Sequence, residues 1–261
     1  MEDVVEIISG NSATGVILLC DHASNELPPR YGSLGLPESQ LQRHIAYDIG
    51  AAGVTRAMAA ALDCPAALSC FSRLLIDPNR GEDDPTLIMK ISDGALIPGN
   101  VTITAEEAAS RITRYYAPYH SAVAQMLDEA FRGGFTPVIV SLHSFTPEWR
   151  GTARPWHAGV LWDADPRLAV PLIETLREDA SLIVGDNEPY SGALDGDTLH
   201  KHATLRGLAH ALVEIRQDLI ADAAGQQAWA TRLVGIIWDM MTDTTLAAQF
   251  GAVQHFPSRA D

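Results

Sequence analysis

Val16-Ile-Leu-Leu-Cys20 is a short, continuous apolar run, and the polar segment Asp21-His-Ala-Ser-Asn-Glu26 follows it directly. A run of this length with an apolar residue at every position is typical of a parallel strand that is buried on both faces. Its abrupt polar end predicts a loop that begins at the carboxyl end of the strand. The run therefore favours an α/β fold, in which buried strands alternate with helices.

Further apolar runs alternate with segments of helical spacing along the rest of the chain. We predict strands at 66–70, 136–142, 159–162, 182–184 and 208–215, and helices at 38–62, 104–131, 166–179 and 226–240. The helix at 104 begins with a capping-box pattern, Thr104-Ala-Glu-Glu. Another short apolar run, Arg73-Leu-Leu-Ile76, ends in Asp77-Pro-Asn-Arg80. This alternation predicts an α/β fold with a largely parallel or mixed sheet, and because no linker or repeat interrupts it, we expect one domain over residues 1–261.

Composition and charge restrict the classes of partner. The chain has 261 residues, of which 47% are hydrophobic and 20% are charged, as in an ordinary globular protein. Its formal net charge of −15 repels nucleic acid and anionic membrane surfaces, so we expect neither as a partner. An anionic substrate would need a local positive potential, which arginines or a metal ion can supply.

The cysteines and the N-terminal sequence favour a cytoplasmic protein. Cys20, Cys64 and Cys70 form no CxxC pair, and their odd number favours reduced, mostly buried thiols over a disulfide framework. The acidic start, Met1-Glu-Asp-Val-Val-Glu6, lacks the basic and apolar regions of a secretory signal. The sequence also lacks an apolar run of about 18 residues, so we expect no membrane span. These features do not predict the oligomeric state.

Polar and ionisable side chains cluster where four of the apolar runs end. In open α/β sheets, ligands bind beyond the carboxyl ends of the strands, so these clusters predict one shared site. Polar residues also end strands simply because loops are exposed, which makes this pattern suggestive rather than specific. The four clusters are Asp21-His22, Asp77 with Asn79 and Arg80, His143, and Asp186 with Glu188.

The two histidines in these clusters are candidate metal ligands. A single histidine such as His22 after a strand is more often a hydrogen-bonded loop residue. With His143 in the same context, the pair could form a His/His/carboxylate zinc site that keeps a position open for water. The carboxylate could come from Glu26, four residues after His22, or from Asp48 on the predicted helix. Asp21 is a candidate partner that would orient an imidazole.

Arginines and a late strand supply candidate substrate contacts and a general base. Arg73 and Arg80, with Asn79, offer planar donors that suit a carboxylate, although Arg80 could instead pair with Asp77. Glu214 and Arg216 share one face of the predicted strand 208–215 and its end, because side chains alternate with period two. They must pair or face a polar cavity, and Glu214 could then act as a general base.

Other polar segments have simpler interpretations. Asp186-Asn-Glu-Pro-Tyr-Ser-Gly192 is rich in turn residues and is most simply an exposed loop, and His200 and His202 are most simply surface residues. The chain has no GxSxG, GxGxxG or P-loop motif, so a serine hydrolase or a nucleotide-binding protein has no motif support.

Six motifs, in register over about residues 15 to 220, resemble the N-formylglutamate amidohydrolase family. Each motif alone is modest, and their order along the chain makes the resemblance specific to the family rather than to the substrate. The motifs are Cys20-Asp-His-Ala-Ser-Asn25 with Pro28, His44-Ile-Ala-Tyr-Asp48-Ile-Gly50, Ser72-Arg-Leu-Leu-Ile-Asp-Pro-Asn-Arg80, Ser141-Leu-His-Ser-Phe145, Asp186-Asn-Glu-Pro-Tyr-Ser-Gly192, and His202 with Arg206-Gly-Leu208 and Glu214-Ile-Arg-Gln-Asp-Leu219.

The resemblance implies a fold and a metal site. It implies a three-layer α/β sandwich around a mixed, largely parallel central sheet, similar to zinc carboxypeptidases and aspartoacylase-like deacylases. It implies one zinc ion per chain, or another divalent metal, with His22 and His143 as ligands. The related deacylases place a glutamate three residues after the first histidine, whereas Glu26 follows His22 by four. Asp48 matches a regular aspartate of the family, which favours it as the third ligand.

The resemblance also implies an activity and its residues. N-Formyl-L-glutamate is the substrate implied, Glu214 matches the catalytic glutamate, and Asn79 with Arg80 resembles a substrate-holding pair. We add Arg73, Arg216 and Tyr190 as candidate contacts to a small anionic substrate. Two alternatives are a zinc deacylase or carboxypeptidase-like enzyme for another N-acyl amino acid or small peptide, and a non-catalytic binder of an acidic metabolite.

Overall fold

A seven-stranded sheet runs through the middle of the computed structural model, which describes residues 3–259. The strands are β1 (Val5–Ile8), β2 (Val16–Cys20), β3 (Ala66–Ser69), β4 (Val138–Phe145), β5 (Ala158–Leu161), β6 (Val184–Asp186) and β7 (His210–Arg216). Their spatial order is β1-β3-β2-β4-β7-β5-β6, and two hairpins of two-residue strands lie outside this sheet. The hairpins pair Ile91–Ser92 with Ala95–Leu96 and Glu148–Trp149 with Thr152–Ala153.

The direction of the strands determines which loops can meet. β2 runs parallel to β3 and β4, and β4 runs parallel to β7, so the carboxyl ends of these four strands lie at one edge of the sheet. β5 runs antiparallel to β7, and β6 runs parallel to β5, so these two strands end at the opposite edge. The predicted mixed, largely parallel sheet is therefore confirmed.

Helices cover both faces of the sheet, as the predicted three-layer sandwich requires. On one face, the apolar sides of the second, sixth and eighth helices pack against alternate residues of the central strands. On the other face, the fifth helix contributes Tyr119, Val123 and Leu127, and the short seventh helix contributes Leu199. The helices are α1 (Glu38–Leu41), α2 (Ala51–Leu62), α3 (Pro98–Val101), α4 (Ala105–Arg111), α5 (Ala117–Arg132), α6 (Pro166–Glu178), α7 (Thr198–His202), α8 (Ala223–Thr242) and α9 (Thr244–Phe250).

The strongest local signals fold as expected. Every residue of β2 is buried, which agrees with its unbroken apolar run. The Thr104 side chain accepts a hydrogen bond from the backbone N–H of Glu107, so the capping box does begin a helix. That helix continues through a π-helical segment, Ile112–Tyr116, into α5. The three thiols are free, and those of Cys20 and Cys64 are buried.

One predicted element near the site was wrong. The predicted helix 38–62 is interrupted by turns after α1, and Asp48 lies in those turns rather than on a helix. The apolar run Arg73–Ile76 forms a buried loop, in which Leu74, Leu75 and Ile76 fill gaps between elements without joining the sheet. Apolar content alone could not distinguish a strand from a loop that crosses the core.

The helices also bear on membrane insertion. None of those formed by residues 3–259 combines the length and the apolar character that a membrane crossing would require.

Candidate active site

Two histidines and an aspartate converge at the edge of the sheet where β2 and β4 end. His22 follows β2, His143 lies on β4 two residues before its end, and Asp48 lies in the turn before α2. All three are buried, and each offers a ligand atom within 4.8 Å of those of the other two. His22 Nδ1 lies 3.3 Å from Asp48 Oδ2, and His143 Nδ1 lies 2.8 Å from the same oxygen. The structure thus brings together the three residues that the sequence proposed as metal ligands.

Asp77 and Arg73 determine the tautomer of His22. The other ring nitrogen, Nε2, lies 2.7 Å from Asp77 Oδ1, and the Arg73 guanidinium lies 3.1 Å from Nδ1. A guanidinium can only donate, so Nδ1 must accept and the ring proton must sit on Nε2, where it is donated to Asp77. The lone pair of Nδ1 therefore faces Asp48. Sequence reasoning treated Asp77 only as a partner for Arg80 and missed this role.

Asp21 plays the corresponding part for His143. Its Oδ2 lies 3.1 Å from His143 Nε2, and its Oδ1 accepts hydrogen bonds from Tyr119 and Thr198 at 2.8 and 2.7 Å. Burial lowers the pKa of His143, but hydrogen bonds and charge from Asp21 and Asp48 outweigh burial and raise this pKa well above its usual value. Both imidazoles thus have a carboxylate behind them, which is how proteins orient histidine ligands of metals.

The position of Asp48 depends on close backbone contacts around its turn. Its backbone N–H donates to the carbonyl of His22, and Gly50, with φ +83°, begins α2 two residues later. A Cβ at position 50 would lie 2.2 Å from the Ile220 carbonyl oxygen, so only glycine allows this approach. Glu26, the competing third ligand, is exposed and lies on a different surface beside Pro28 and Cys70.

The donor set fits a divalent metal ion. When each ring carries its proton on Nε2, the Nδ1 atoms of His22 and His143 and the Asp48 carboxylate are acceptors that lie close together, and Arg73 donates to His22 Nδ1. A proton on His143 Nδ1, which the raised pKa of His143 favours, or a metal cation in its place relieves the repulsion between these acceptors. Two nitrogen ligands and one oxygen ligand match the three-ligand sites of catalytic zinc. The His22–Asp48–His143 group can therefore hold a metal.

Glu214 lies next to this group on the adjacent strand. In the parallel pairing of β7 with β4, Glu214 is the direct partner of His143, so both side chains project from the same face of the sheet. Burial raises the pKa of Glu214 to about 7, with His143 opposing this shift and Asp48 adding to it. Its Oε2 atom is buried and has no hydrogen-bond partner among residues 3–259. This carboxylate is available for a substrate or a water molecule.

A cavity of 380 Å³ opens beside the group and collects most of the predicted substrate contacts. Arg73, Asn79, Arg80 and Tyr190 all line it, together with Glu214 and the three candidate ligands. Arg73 is already engaged, because it donates to Asp77 at 2.6 Å and lies 3.6 Å from Asp48 Oδ1. Arg80 donates mainly to its own loop, through the Asn79 carbonyl and Thr86.

Arg216 does not reach the cavity. Its guanidinium pairs with Asp218 at 2.7 Å and donates to the carbonyls of Arg154 and Trp156. β7 ends at this residue, and the side chain turns toward the loop before β5 rather than following Glu214. Its position gives no support to the predicted substrate contact.

The segment Asp186–Gly192, which we expected to be a simple exposed loop, forms a wall of the cavity. Asn187, with φ +53°, accepts hydrogen bonds on its side-chain oxygen from the backbone N–H groups of Trp162 and Gly192. These two bonds hold Tyr190 and Gly192 against the cavity. Asp186 and Glu188 are exposed at the opposite sheet edge and do not line it, so the expectation that all four strand-end clusters share one site was wrong.

A second histidine pair lies behind the loop that carries Asn79 and Arg80. His202, predicted to be a surface residue, is buried, and its Nε2 lies 2.9 Å from His120 Nδ1. His120 Nε2 lies 3.0 Å from the carbonyl of Pro78, which accepts its proton. The pair therefore supports the backbone of the Pro78–Arg80 loop. Sequence reasoning missed His120 because a histidine inside a helix, 42 positions from its partner carbonyl, has no local signal.

Comparisons with known proteins give a consistent result. The sequence profile described as N-formylglutamate amidohydrolase matches residues 14–221. The fold is similar to that of gene product Atu2144 from Agrobacterium tumefaciens, with 36% identity over 90% of this chain and 94% of that one and a TM-score of 0.84. It is also similar to the N-formylglutamate amidohydrolase from Ralstonia eutropha JMP134, with 20% identity over 90% and 96% and a TM-score of 0.70.

The curated proteins contain no match to this sequence. The family profile nevertheless covers most of the chain, including the candidate metal ligands, the Pro78–Arg80 loop and Glu214. The motifs, the fold and the profile agree, and the chain belongs to the N-formylglutamate amidohydrolase family.

Proposed function

We propose that the protein is a metal-dependent amidohydrolase that cleaves the N-acyl amide of a small amino acid. One observation carries this proposal: a buried His/Asp/His group and an unpartnered buried glutamate face the same cavity. Family membership supports the reaction class, and the ligand geometry supports the metal dependence. Zinc is the first metal to test, since two imidazoles and one carboxylate suit it.

The metal would be held by His22 Nδ1, His143 Nδ1 and Asp48, with Asp77 and Asp21 orienting the two rings. When bound, a divalent ion polarises the amide carbonyl and lowers the pKa of a coordinated water toward neutrality. The carboxylates of Asp77 and Asp21 accept the Nε2 protons, so Nδ1 is the nitrogen of each ring that would bind the metal in place of a proton.

Glu214 is the proposed general base and acid. Its desolvated carboxylate, with a pKa near neutrality in the structure, is suited to exchange protons at the pH of the cell. Oε2 takes a proton from the attacking water and then delivers it to the nitrogen of the leaving amine. The side chain needs no large movement, because it already projects beside His143 from the neighbouring strand.

The arginines would serve the charged parts of the reaction. Arg73 lies against both His22 and Asp48, and this position supports it as the proposed donor to the oxyanion that develops on the carbonyl. Arg80, Asn79 and Tyr190 line the cavity farther from the ligand group and are the candidates to bind the α-carboxylate. Arg73 and Arg80 supply local positive charge in a protein whose net charge is −15.

The test combines metal analysis with a base variant. We expect about one zinc ion per chain in the purified protein, formate release from N-formyl-L-glutamate, and loss of that activity after chelation. Glu214→Gln should retain the metal and lower kcat by about a hundredfold or more. Arg216→Gln is a matched control on the same strand, outside the cavity, and should remain close to wild type. Full activity in Glu214→Gln would remove the proposed base, and full activity in metal-free protein would remove the proposed metal.

A further inference from the structure

The cavity does not end at Glu214 but continues down the face of the sheet. Glu214, Leu212 and His210 alternate along β7, so their side chains project from one face, and all three line the cavity. Four residues of a strand span about 13 Å. The cavity therefore reaches from the ligand group, at the carboxyl ends of the strands, to the amino end of β7.

Leucines form the walls of this deeper part. Leu161 at the end of β5 is the direct partner of Leu212 in the antiparallel pairing, and Leu199 of α7 faces them from above. The three leucines are between 4 and 6% exposed. With Thr204 and His210 they define what we call the inner lobe.

The closed end of the inner lobe is neutral. His210 Nδ1 donates to the carbonyl of Leu208 at 2.8 Å, and its Nε2 lies 3.3 Å from the hydroxyl of Thr204. Burial lowers the pKa of His210, which favours the uncharged imidazole. In that form Nδ1 donates and Nε2 accepts the hydroxyl proton of Thr204. The polar atoms at this end thus satisfy each other and leave no cation for a carboxylate.

The inner lobe exists because no long helix covers this part of the sheet. The sixteen-residue helix α5 packs over β1 and β3, whereas the five-residue helix α7 and residues 187–197 cover β5 and β7. The Asn187 side chain holds that segment through Trp162 and Gly192 at 3.0 and 2.9 Å. The lobe is therefore a built feature with a fixed wall, not a surface irregularity.

Charge around the inner lobe disfavours a second carboxylate. The cations of the cavity, Arg73 and Arg80, lie near the ligand group and the Pro78–Arg80 loop. The side chains that line the lobe itself, Leu161, Leu199, Thr204, His210 and Leu212, include no cation. The γ-carboxylate of a glutamyl group placed in the lobe would therefore lose its hydration without gaining a charged partner.

We propose that the inner lobe binds an uncharged, apolar group of the substrate, carried on either the acyl group or the amino-acid side chain. This inference rests on the proposed amidohydrolase function. The preferred substrates are then N-acyl amino acids with an aliphatic or aromatic group that reaches past Glu214, rather than N-formylglutamate.

A substrate panel on the zinc-loaded protein tests this specificity. N-Formylleucine against N-formylglycine reports a side chain in the lobe, and N-isovalerylglycine against N-formylglycine reports an acyl group there. In at least one arm, kcat/KM should exceed that of both N-formylglycine and N-formylglutamate by about tenfold or more. Equal or faster hydrolysis of N-formylglutamate overturns the inference while leaving the amidohydrolase function intact.

Variants of the lobe test the assignment to these residues. Leu212→Phe and Leu199→Phe fill the lobe from opposite walls, and each should reduce the ratio of the apolar substrate over N-formylglycine by about tenfold. Leu208→Ala is the control, because it truncates a fully buried leucine near the same strand that does not line the cavity. It should lower thermal stability without changing the ratio. An unchanged ratio in either folded phenylalanine variant contradicts the proposal.

A binding measurement separates the inference from catalysis. Calorimetric titration of Glu214→Gln with the same panel does not require turnover. Tighter binding of the apolar compounds, combined with no hydrolysis of any compound by the wild type, would support the inner lobe and refute the proposed function. Equal binding of N-formylglutamate and the apolar compounds would refute the inner lobe.

Discussion

Two histidine pairs differ sharply in their surroundings in this protein. His22 and His143 meet edge to face, with ring centroids 4.9 Å apart, and each has a carboxylate on its far nitrogen. His120 and His202 stack with an interplanar angle of 19° and centroids 5.1 Å apart, and their partners are each other and the Pro78 carbonyl. Residue type and the spacing of the rings are therefore similar, and the groups behind the rings differ.

The difference in partners separates a candidate metal site from a structural pair. Carboxylates outweigh the effect of burial on His143 and raise its pKa, whereas burial, His120 and Arg206 lower the pKa of His202 to about 3. The acids around the first pair favour a positive charge there. The second pair stays neutral, and His120 donates its Nε2 proton to the Pro78 carbonyl. A close histidine pair alone is thus a poor indicator of a metal site. Carboxylates in contact with the imidazoles are the feature that distinguishes the candidate site.

The largest difference between the two pairs should appear when one histidine of each pair is replaced by alanine. His22→Ala should lose stoichiometric zinc and lower kcat/KM by roughly a thousandfold, because the remaining ligands cannot hold the ion that activates the carbonyl and water. His202→Ala should keep the zinc and lose at most about tenfold in kcat/KM, since it touches only the support of the Pro78–Arg80 loop. Elemental analysis and steady-state kinetics provide the comparison. Loss of zinc from His202→Ala would show that the two pairs are not distinct.

A smaller effect should follow from neutralising a carboxylate behind the first pair. Asp77→Asn keeps the shape of the side chain but removes the charge that orients His22, and should weaken zinc binding by about 10- to 100-fold. Competition with a chromogenic chelator measures this affinity. Asp83→Asn, an exposed acid of the same segment, controls for the loss of one negative charge. If both variants bind zinc equally well, the orienting role of Asp77 is refuted.

The smallest effect concerns a buried acid that has no such cation partner. Asp197 begins α7, its side chain accepts from the backbone N–H of His200, and burial raises its pKa to about 7 from an ordinary value of 3.8. The folded state therefore holds this proton more tightly than the unfolded state, so its contribution to stability is full at acidic pH and is lost as pH rises toward 7. Asp197→Asn keeps a good capping residue and removes this dependence.

Denaturant unfolding of both proteins at several pH values tests the Asp197 prediction. The free energy of unfolding of the variant, relative to wild type, should increase by about 2 kcal/mol between pH 5 and pH 8. Parallel pH profiles would mean that Asp197 is ionised throughout, as the acids beside the first histidine pair are.

The sequence predicted more of the fold than of the detail around the site. The strands β2, β3, β4, β5 and β7 could be predicted from composition, because a strand that is buried on both faces needs apolar residues at nearly every position. The turns that hold Asp48 were mistaken for part of a helix. Helical spacing and the many alanines of residues 38–62 predicted one continuous element, and that signal does not reveal the turns that interrupt it.

The ligand candidates and the base were recognisable because their residue types are costly to bury without a purpose. Histidines and acids directly after apolar runs, and a glutamate within the late strand, violate the ordinary rule for buried positions. The partners that orient them were less visible. Asp77 is 55 positions from His22 in the sequence, and Asp21 is 122 positions from His143, although each acid contacts its histidine directly.

Local chemistry in the chain accounts for the strands, the capped helix and the candidate ligands, since each is a property of neighbouring residues. Only tertiary contacts placed Asp48 rather than Glu26 beside the two histidines, turned Arg216 away from the cavity, buried His202 and opened the inner lobe. Those outcomes depend on which strands lie side by side and which helices are too short to cover them. Such pairings join residues that are far apart in the chain. Hydrophobic periodicity describes only neighbouring residues, so it cannot predict these long-range contacts.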